Sequence, residues 1–277
     1  MQTETFIHPS AVVEAGAQVG AGTYIGPFSY IGSDVVIGNG VKLISHVTII
    51  GATTIGDGCT IHPQAVLGGA PQNNAHKGGR TTLTVGKNCT IREFVTMNVG
   101  TDNARGATIV GDNCNILAYC HIAHDCVLGN NVTFTNDVAL AGHCEIGDNV
   151  IIGGLSAVHQ FVRVGRNAFL AGGSMITGDV IPYGIAVGNR AKLRGLNVVG
   201  LRRSGMPKAG ILNLRRAYLT IFDRSRPLGE NLEIARAEFG NSEEAMRIID
   251  FLSHRGKRHF VVPPLKGAVD DDADDLD

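Results

Sequence analysis

The sequence predicts an all-β left-handed parallel β-helix of hexapeptide repeats, followed by a C-terminal α-helical module. Three observations carry the expectation. An aliphatic residue recurs at every sixth position, glycine often follows it, and the chain is poor in aromatics. Of its 277 residues 44% are hydrophobic, yet only 5% are aromatic, with 37 glycines and no tryptophan. Aromatic side chains normally supply much of a globular core's buried area. A core without them is assembled from many small aliphatic contributions, as stacked repeats provide.

The six-residue spacing runs through Ile7, Val13, Val19, Ile25, Ile31, Ile37, Leu43, Ile49, Ile55, Ile61 and Leu67 without a miss. A second register runs Val110, Ile116, Ile122, Leu128, Phe134, Leu140, Ile146, Ile152, Val158, Val164, Leu170 and Ile176. Neither a helix, with about 3.6 residues per turn, nor a hairpin repeats in six. Short strands separated by corners do, and three of them close one triangular coil of about eighteen residues. Glycine and asparagine at the corners relieve the cost of turning there. Cys114, Cys120, Cys126 and Cys144 fall two residues before aliphatic markers, where a small inward side chain is needed.

The β-helix is expected over residues 1–190, with loops near 70–82 and 98–108. The first, APQNNAHKGGRTT, holds the phase between Leu67 and Val85 but has no aliphatic marker, and across the second the register slips. Loops projecting from a rigid scaffold commonly carry function. Residues 191–266 are expected to form the helical module, because 205–222 and 242–254 carry apolar residues at helical spacing. Ser242 is a plausible N-cap. Residues 267–277 read as an acidic, disordered tail.

Net charge is −1, but unevenly spread: −4 over residues 1–189, +9 over 190–266, and six acids with no base from Asp270 to Asp277. Clustered arginines such as Arg202-Arg203 and Arg215-Arg216 suit phosphate groups or an acidic protein partner. Nucleic acid is not expected, since stacking aromatics are scarce and the total charge is near zero. The first fifteen residues carry no signal-peptide pattern, and no apolar stretch is long enough to span a bilayer. The six cysteines therefore read as reduced thiols of a cytoplasmic protein.

The densest polar cluster is Cys120-His121-Ile122-Ala123-His124-Asp125-Cys126. Stepping by eighteen puts His124, Gly142 and Gln160 in one column, and Asp125, His143 and Phe161 in the next, with His121 and His159 flanking them. A histidine beside a carboxylate, with a glycine amide one coil away, suits acyl transfer. Imidazole removes a proton from an attacking hydroxyl or amine, the carboxylate holds the ring, and the amide donates to the oxyanion. Other readings stay open: a zinc hydratase resembling γ-class carbonic anhydrase through the same histidines, an acetyl-CoA-dependent sugar acetyltransferase, and a non-enzymatic scaffold.

The order of coils, the segments His121–Cys126, Leu140–His143 and Gly153–Phe161, and the helical tail together resemble the UDP-N-acetylglucosamine acyltransferases that begin lipid A biosynthesis. The resemblance runs from residue 1 to about residue 260. It implies a homotrimer with clefts between neighbouring β-helices, no cofactor and no metal. It implies transfer of a 3-hydroxyacyl group from acyl carrier protein to the 3-position of a UDP-sugar. His124 matches the general base, Asp125 its orienting residue, and Gly142 the oxyanion donor. His121, His143 and His159 match substrate contacts, Gln72 in the first loop a sugar contact, with Asn73 beside it. Asn197 and Arg203 match uridine and phosphate contacts, and Gly172 lies where acyl length is limited. Asn73 stands where the family commonly has aspartate, Ala75 where it has lysine, Met97-Asn98 in the place of a frequent histidine, and Val199 in that of an acid. These departures leave open whether the acceptor is a 3-hydroxyl, giving an ester, or a 3-amine, giving an amide.

Overall fold

A computed structural model describes residues 4–264; the acidic tail at 267–277 lies outside the described residues. From Phe6 to Ile176 the chain winds as short parallel strands that visit three sheets in turn, so each sheet is one wall of a triangular prism. The left-handed β-helix expected from the repeat is what these strands build.

Pairing partners sit eighteen residues apart, as Phe6 with Tyr24 and His121 with Ala139. Two steps are longer. Val66 pairs with Thr96, thirty residues on, and Thr96 with His121, twenty-five on. The extra residues are the two projecting loops. They occupy 70–81 and 99–106, slightly narrower than expected, because Thr82–Val85 and Ala107–Val110 are four-residue strands that pair along their full lengths.

Inside the prism the aliphatic markers stack on one another. Ile25, Ile31, Leu43, Ile61, Leu67, Ile116, Ile122, Phe134, Leu140 and Leu170 are fully buried. All six cysteines are free and buried, each two residues before a buried aliphatic residue. The first coil departs from the pattern. Ile7 is 43% exposed and Val13 and Val19 are only half-buried, because an end coil is covered by a neighbour on one side only.

Residues 191–196 correct the expected start of the helical module. Lys192–Leu196 is a strand, antiparallel to Gly184–Val187, and it closes the last coil. Four helices follow: α1 (Val198–Arg203), α2 (Lys208–Ile221), α3 (Leu228–Phe239) and α4 (Glu243–Ser253). They bury Leu201, Leu214, Ala217, Leu232, Phe239, Ile248 and Ile249 against one another. The Ser242 hydroxyl accepts from Ala245 N–H and caps α4. Beyond α4 the chain returns to the β-helix, where Val261 N–H donates to the Asp179 carbonyl at 2.8 Å. No helix among the described residues is long and apolar enough to cross a membrane.

Candidate active site

The His124 and Asp125 pair sits at a corner of the prism. Asp125, His143 and Phe161 all have left-handed backbone, with φ of 60°, 63° and 66°, a conformation that costs a non-glycine residue roughly 1 kcal/mol or more. Coil stacking fixes it through two backbone bonds. His143 N–H donates to the His124 carbonyl, and Phe161 N–H to the Gly142 carbonyl. The columns inferred by stepping eighteen residues are therefore present. His143 stacks on Phe161 with centroids 4.5 Å apart, and Lys257 Nζ lies 4.1 Å from that phenyl centroid.

His124 is 7% exposed and Asp125 1%. His124 Nδ1–H donates to Asp125 Oδ2 at 2.8 Å, which leaves Nε2 with a lone pair. From the first loop, Asn73 Nδ2 approaches Nε2 at 3.4 Å, and Asn73 Oδ1 accepts from Ala75 N–H at 2.9 Å. The second bond orients the amide, so its N–H faces the imidazole.

The Asp125 carboxylate takes more donors than its histidine. Thr101 N–H reaches both oxygens at 3.1 Å, the Thr101 hydroxyl donates to Oδ2 at 2.6 Å, and Gly106 N–H donates to Oδ1 at 3.0 Å. Asp125 N–H donates to the Thr108 hydroxyl at 2.9 Å. Burial acts to raise this carboxyl, but the bonds from Thr101 and His124 outweigh it and hold Asp125 below the usual carboxylate value. His143 and His121 are both pushed below the ordinary imidazole value, chiefly by burial. For His143 that influence outweighs the Asp125 carboxylate nearby.

Gly142 lies directly against the imidazole. A Cβ there would sit 2.7 Å from His124 Cε1 and 2.8 Å from Nε2, so only glycine leaves the ring its place. Among the described residues no acceptor takes the Gly142 N–H.

Gln72, His121, His124, Gly142, His159 and Gln160 line one cleft of about 530 Å³, floored by Ala139, Ala157, Met175 and Ile176. His121 Nδ1 hydrogen-bonds the Thr96 hydroxyl at 2.7 Å. Asn73 joins this cleft through His124, and His143 stands around the corner from it, 3.8 Å from Asp125 Oδ2. Gly172 is exposed and outside the lining. Arg203 is on α1 and Asn197 just before it, both also outside the lining. Asn197 caps that helix by accepting from Gly200 N–H, while its Nδ2 donates to the Asn167 carbonyl at 3.1 Å.

His124, Asp125 and His143 place one potential ligand atom each within 4.8 Å of one another. They are the residues of this site that a metal ion would use. Of these, His124 Nδ1 and Asp125 Oδ2 are bonded to each other, and Thr101 and Gly106 donate further to the carboxylate.

Thr96, Thr101, Gly106 and Thr108 escaped the sequence reading. Thr101 and Gly106 lie in the second loop, where stepping by eighteen no longer gives position. The sequence signal available was the loop's location alone.

Comparison with known proteins agrees with the fold. Residues 34–69, 107–142 and 143–178 match the bacterial transferase hexapeptide model, and 179–261 match the second domain of UDP N-acetylglucosamine O-acyltransferase. The chain is 66% identical to an acyl-[acyl-carrier-protein]–UDP-N-acetylglucosamine O-acyltransferase of Mesorhizobium japonicum, covering all of this chain and 99% of that one. The same-named Bartonella henselae protein is 51% identical, over 95% of this chain and 96% of its own. The Francisella novicida UDP-N-acetylglucosamine acyltransferase structure superposes with a TM-score of 0.91 at 33% identity, covering 98% of this chain and 99% of that one. The Campylobacter jejuni structure gives 0.88 at 42%, over 94% and 100%. The chain belongs to the UDP-N-acetylglucosamine acyltransferase family.

Proposed function

We propose that this protein transfers a 3-hydroxyacyl group from acyl carrier protein to the 3-position of UDP-N-acetylglucosamine or its 3-amino analogue, the first step of lipid A biosynthesis. The observation that carries the reading is the His124 imidazole. Its Nδ1–H is tied to Asp125, its Nε2 faces the cleft beside the Asn73 amide with a lone pair to accept a proton, and Gly142 lies against the ring.

In the step itself, His124 Nε2 takes the proton as the acceptor's 3-oxygen or 3-nitrogen attacks the thioester carbonyl. Gly142 N–H donates to the oxyanion. The intermediate collapses with cleavage of the C–S bond, and the imidazolium returns its proton to the departing pantetheine thiolate. Asp125 remains ionised and stabilises the imidazolium. A positioned base of this kind contributes about 10²–10⁴-fold.

Gln72 and Asn73 hold the sugar, His121, His143 and His159 contact substrate, and Asn197 and Arg203 contact uridine and phosphate. Gly172 leaves room for the acyl chain. Asn197 and Arg203 stand outside the His124 cleft of their own protomer, which favours a homotrimer with sites shared between neighbours. The excess of basic residues over 190–266 suits the acidic carrier protein. Six free thiols and the absence of any membrane-crossing helix among the described residues favour the cytoplasm.

The test combines purified protein, 3-hydroxyacyl carrier proteins of several lengths, and either acceptor, with mass spectrometry of the nucleotide product. An acylated UDP-sugar is expected, and its mass and base lability separate ester from amide. No acylated product from any pair overturns the reading.

A further inference from the structure

The two projecting loops meet at consecutive residues. Thr101 supplies its N–H and hydroxyl to the buried Asp125 carboxylate. The next residue, Asp102, turns to the other loop. Its carboxylate accepts from Lys77 N–H at 3.0 Å and Gly79 N–H at 2.9 Å, and its own N–H donates to His76 Nδ1 at 3.3 Å. The hydrogen bonds to Asp102 hold its carboxyl below the usual value, the bond from Gly79 being the strongest influence. The loop tethered in this way is the one that brings Asn73 to His124 and Gln72 to the cleft. Loop bases are joined as well, Val99 N–H to the Gly69 carbonyl and Asn98 Nδ2 to that of Ala70.

We propose that the 99–106 loop is a two-sided positioning element, in which Thr101 fixes Asp125 behind the general base and Asp102 fixes the 70–81 loop over the acceptor position. Neither side chain is expected to touch substrate. Each acts through another residue, and each acts on a different quantity. Thr101 governs the base, a transition-state contribution. Asp102 governs the loop that holds the sugar nucleotide, a binding contribution. The proposal rests on the acyl-transfer reading for its kinetic part only.

The test measures kcat, KM for each substrate, and hydrogen exchange on full-length wild type and three variants. Thr101→Val is expected to lower kcat by roughly tenfold to a hundredfold, the scale of a small misplacement at the chemical centre. KM for the UDP-sugar should be unchanged, and Thr101→Ser should restore most of the rate. Asp102→Ala is expected to raise KM for the UDP-sugar about tenfold with kcat within about twofold, as loss of a binding contribution does. It should also speed amide exchange across 70–81, including Asn73 and Ala75, with the coil strands unaffected. The proposal is overturned if both variants change the same kinetic quantity, if serine fails where valine fails, or if exchange in 70–81 is unaltered in Asp102→Ala. Should wild type turn over neither acceptor, the acyl-transfer reading has failed, and the exchange measurement alone decides whether Asp102 positions the loop.

Discussion

The first three coils and the coils from Thr96 to Ile176 share one interior and differ at their surface. In both, aliphatic residues at the inward positions stack on equivalents one coil away. The early coils step evenly by eighteen and project nothing. The later ones lie against two loops, and their corners carry His124, Asp125, Gly142 and His143. Folding information therefore sits inside the prism, while the proposed chemistry sits at its corners and insertions. Interior changes should cost stability, and corner changes should cost turnover.

Phe134→Ala is the largest stability change expected. It empties a fully buried site and should destabilise the protein by about 3–5 kcal/mol, leaving turnover per folded molecule close to normal. Denaturant unfolding alongside active-site titration checks both halves. Gly142→Ala reverses the pattern. The new Cβ would collide with His124, and a roughly hundredfold loss of kcat is expected with a small change in melting temperature. Equal loss of stability in the two variants would break the division between interior and corner.

Ser242→Ala probes the helical module, which shares no coil with either region. Removing the cap should cost about 1 kcal/mol without altering kcat. The smallest effect is a pH dependence. The folded-state pKa of Asp125 is depressed, so its ionisation contributes stability above its unfolded value of about 3.9 and loses that contribution as pH falls through the folded value. The stability gap between wild type and Asp125→Asn should be widest near neutrality and narrow below about pH 4, read by thermal unfolding across pH.

Much of this division was legible in the sequence, because a period of six converts position along the chain into position on the prism. Stepping from His124 to Gly142, and from Asp125 to His143 and Phe161, found real neighbours. The same arithmetic failed wherever the period failed. Thr101 and Asp102 hold the two loops and Asp125, yet no spacing rule reaches residues inside an insertion. The strand Lys192–Leu196 was missed because its antiparallel return ends the repeat instead of continuing it. Helix α3 had a signal: Leu228, Leu232, Ala235 and Phe239 follow helical spacing after Pro227. Asn197 shows a different limit, since its family-matched role concerns uridine while in this protomer it caps α1.

The central claim is that a corner histidine does chemistry while the coils only hold it. His124→Ala tests it most directly, by the rate of acylated UDP-sugar formation set beside the melting temperature. The account predicts a rate at least about a hundredfold lower, the contribution of a lost general base, with the melting temperature nearly that of wild type. A variant that keeps most of its rate, or that loses rate only because it unfolds, would contradict it.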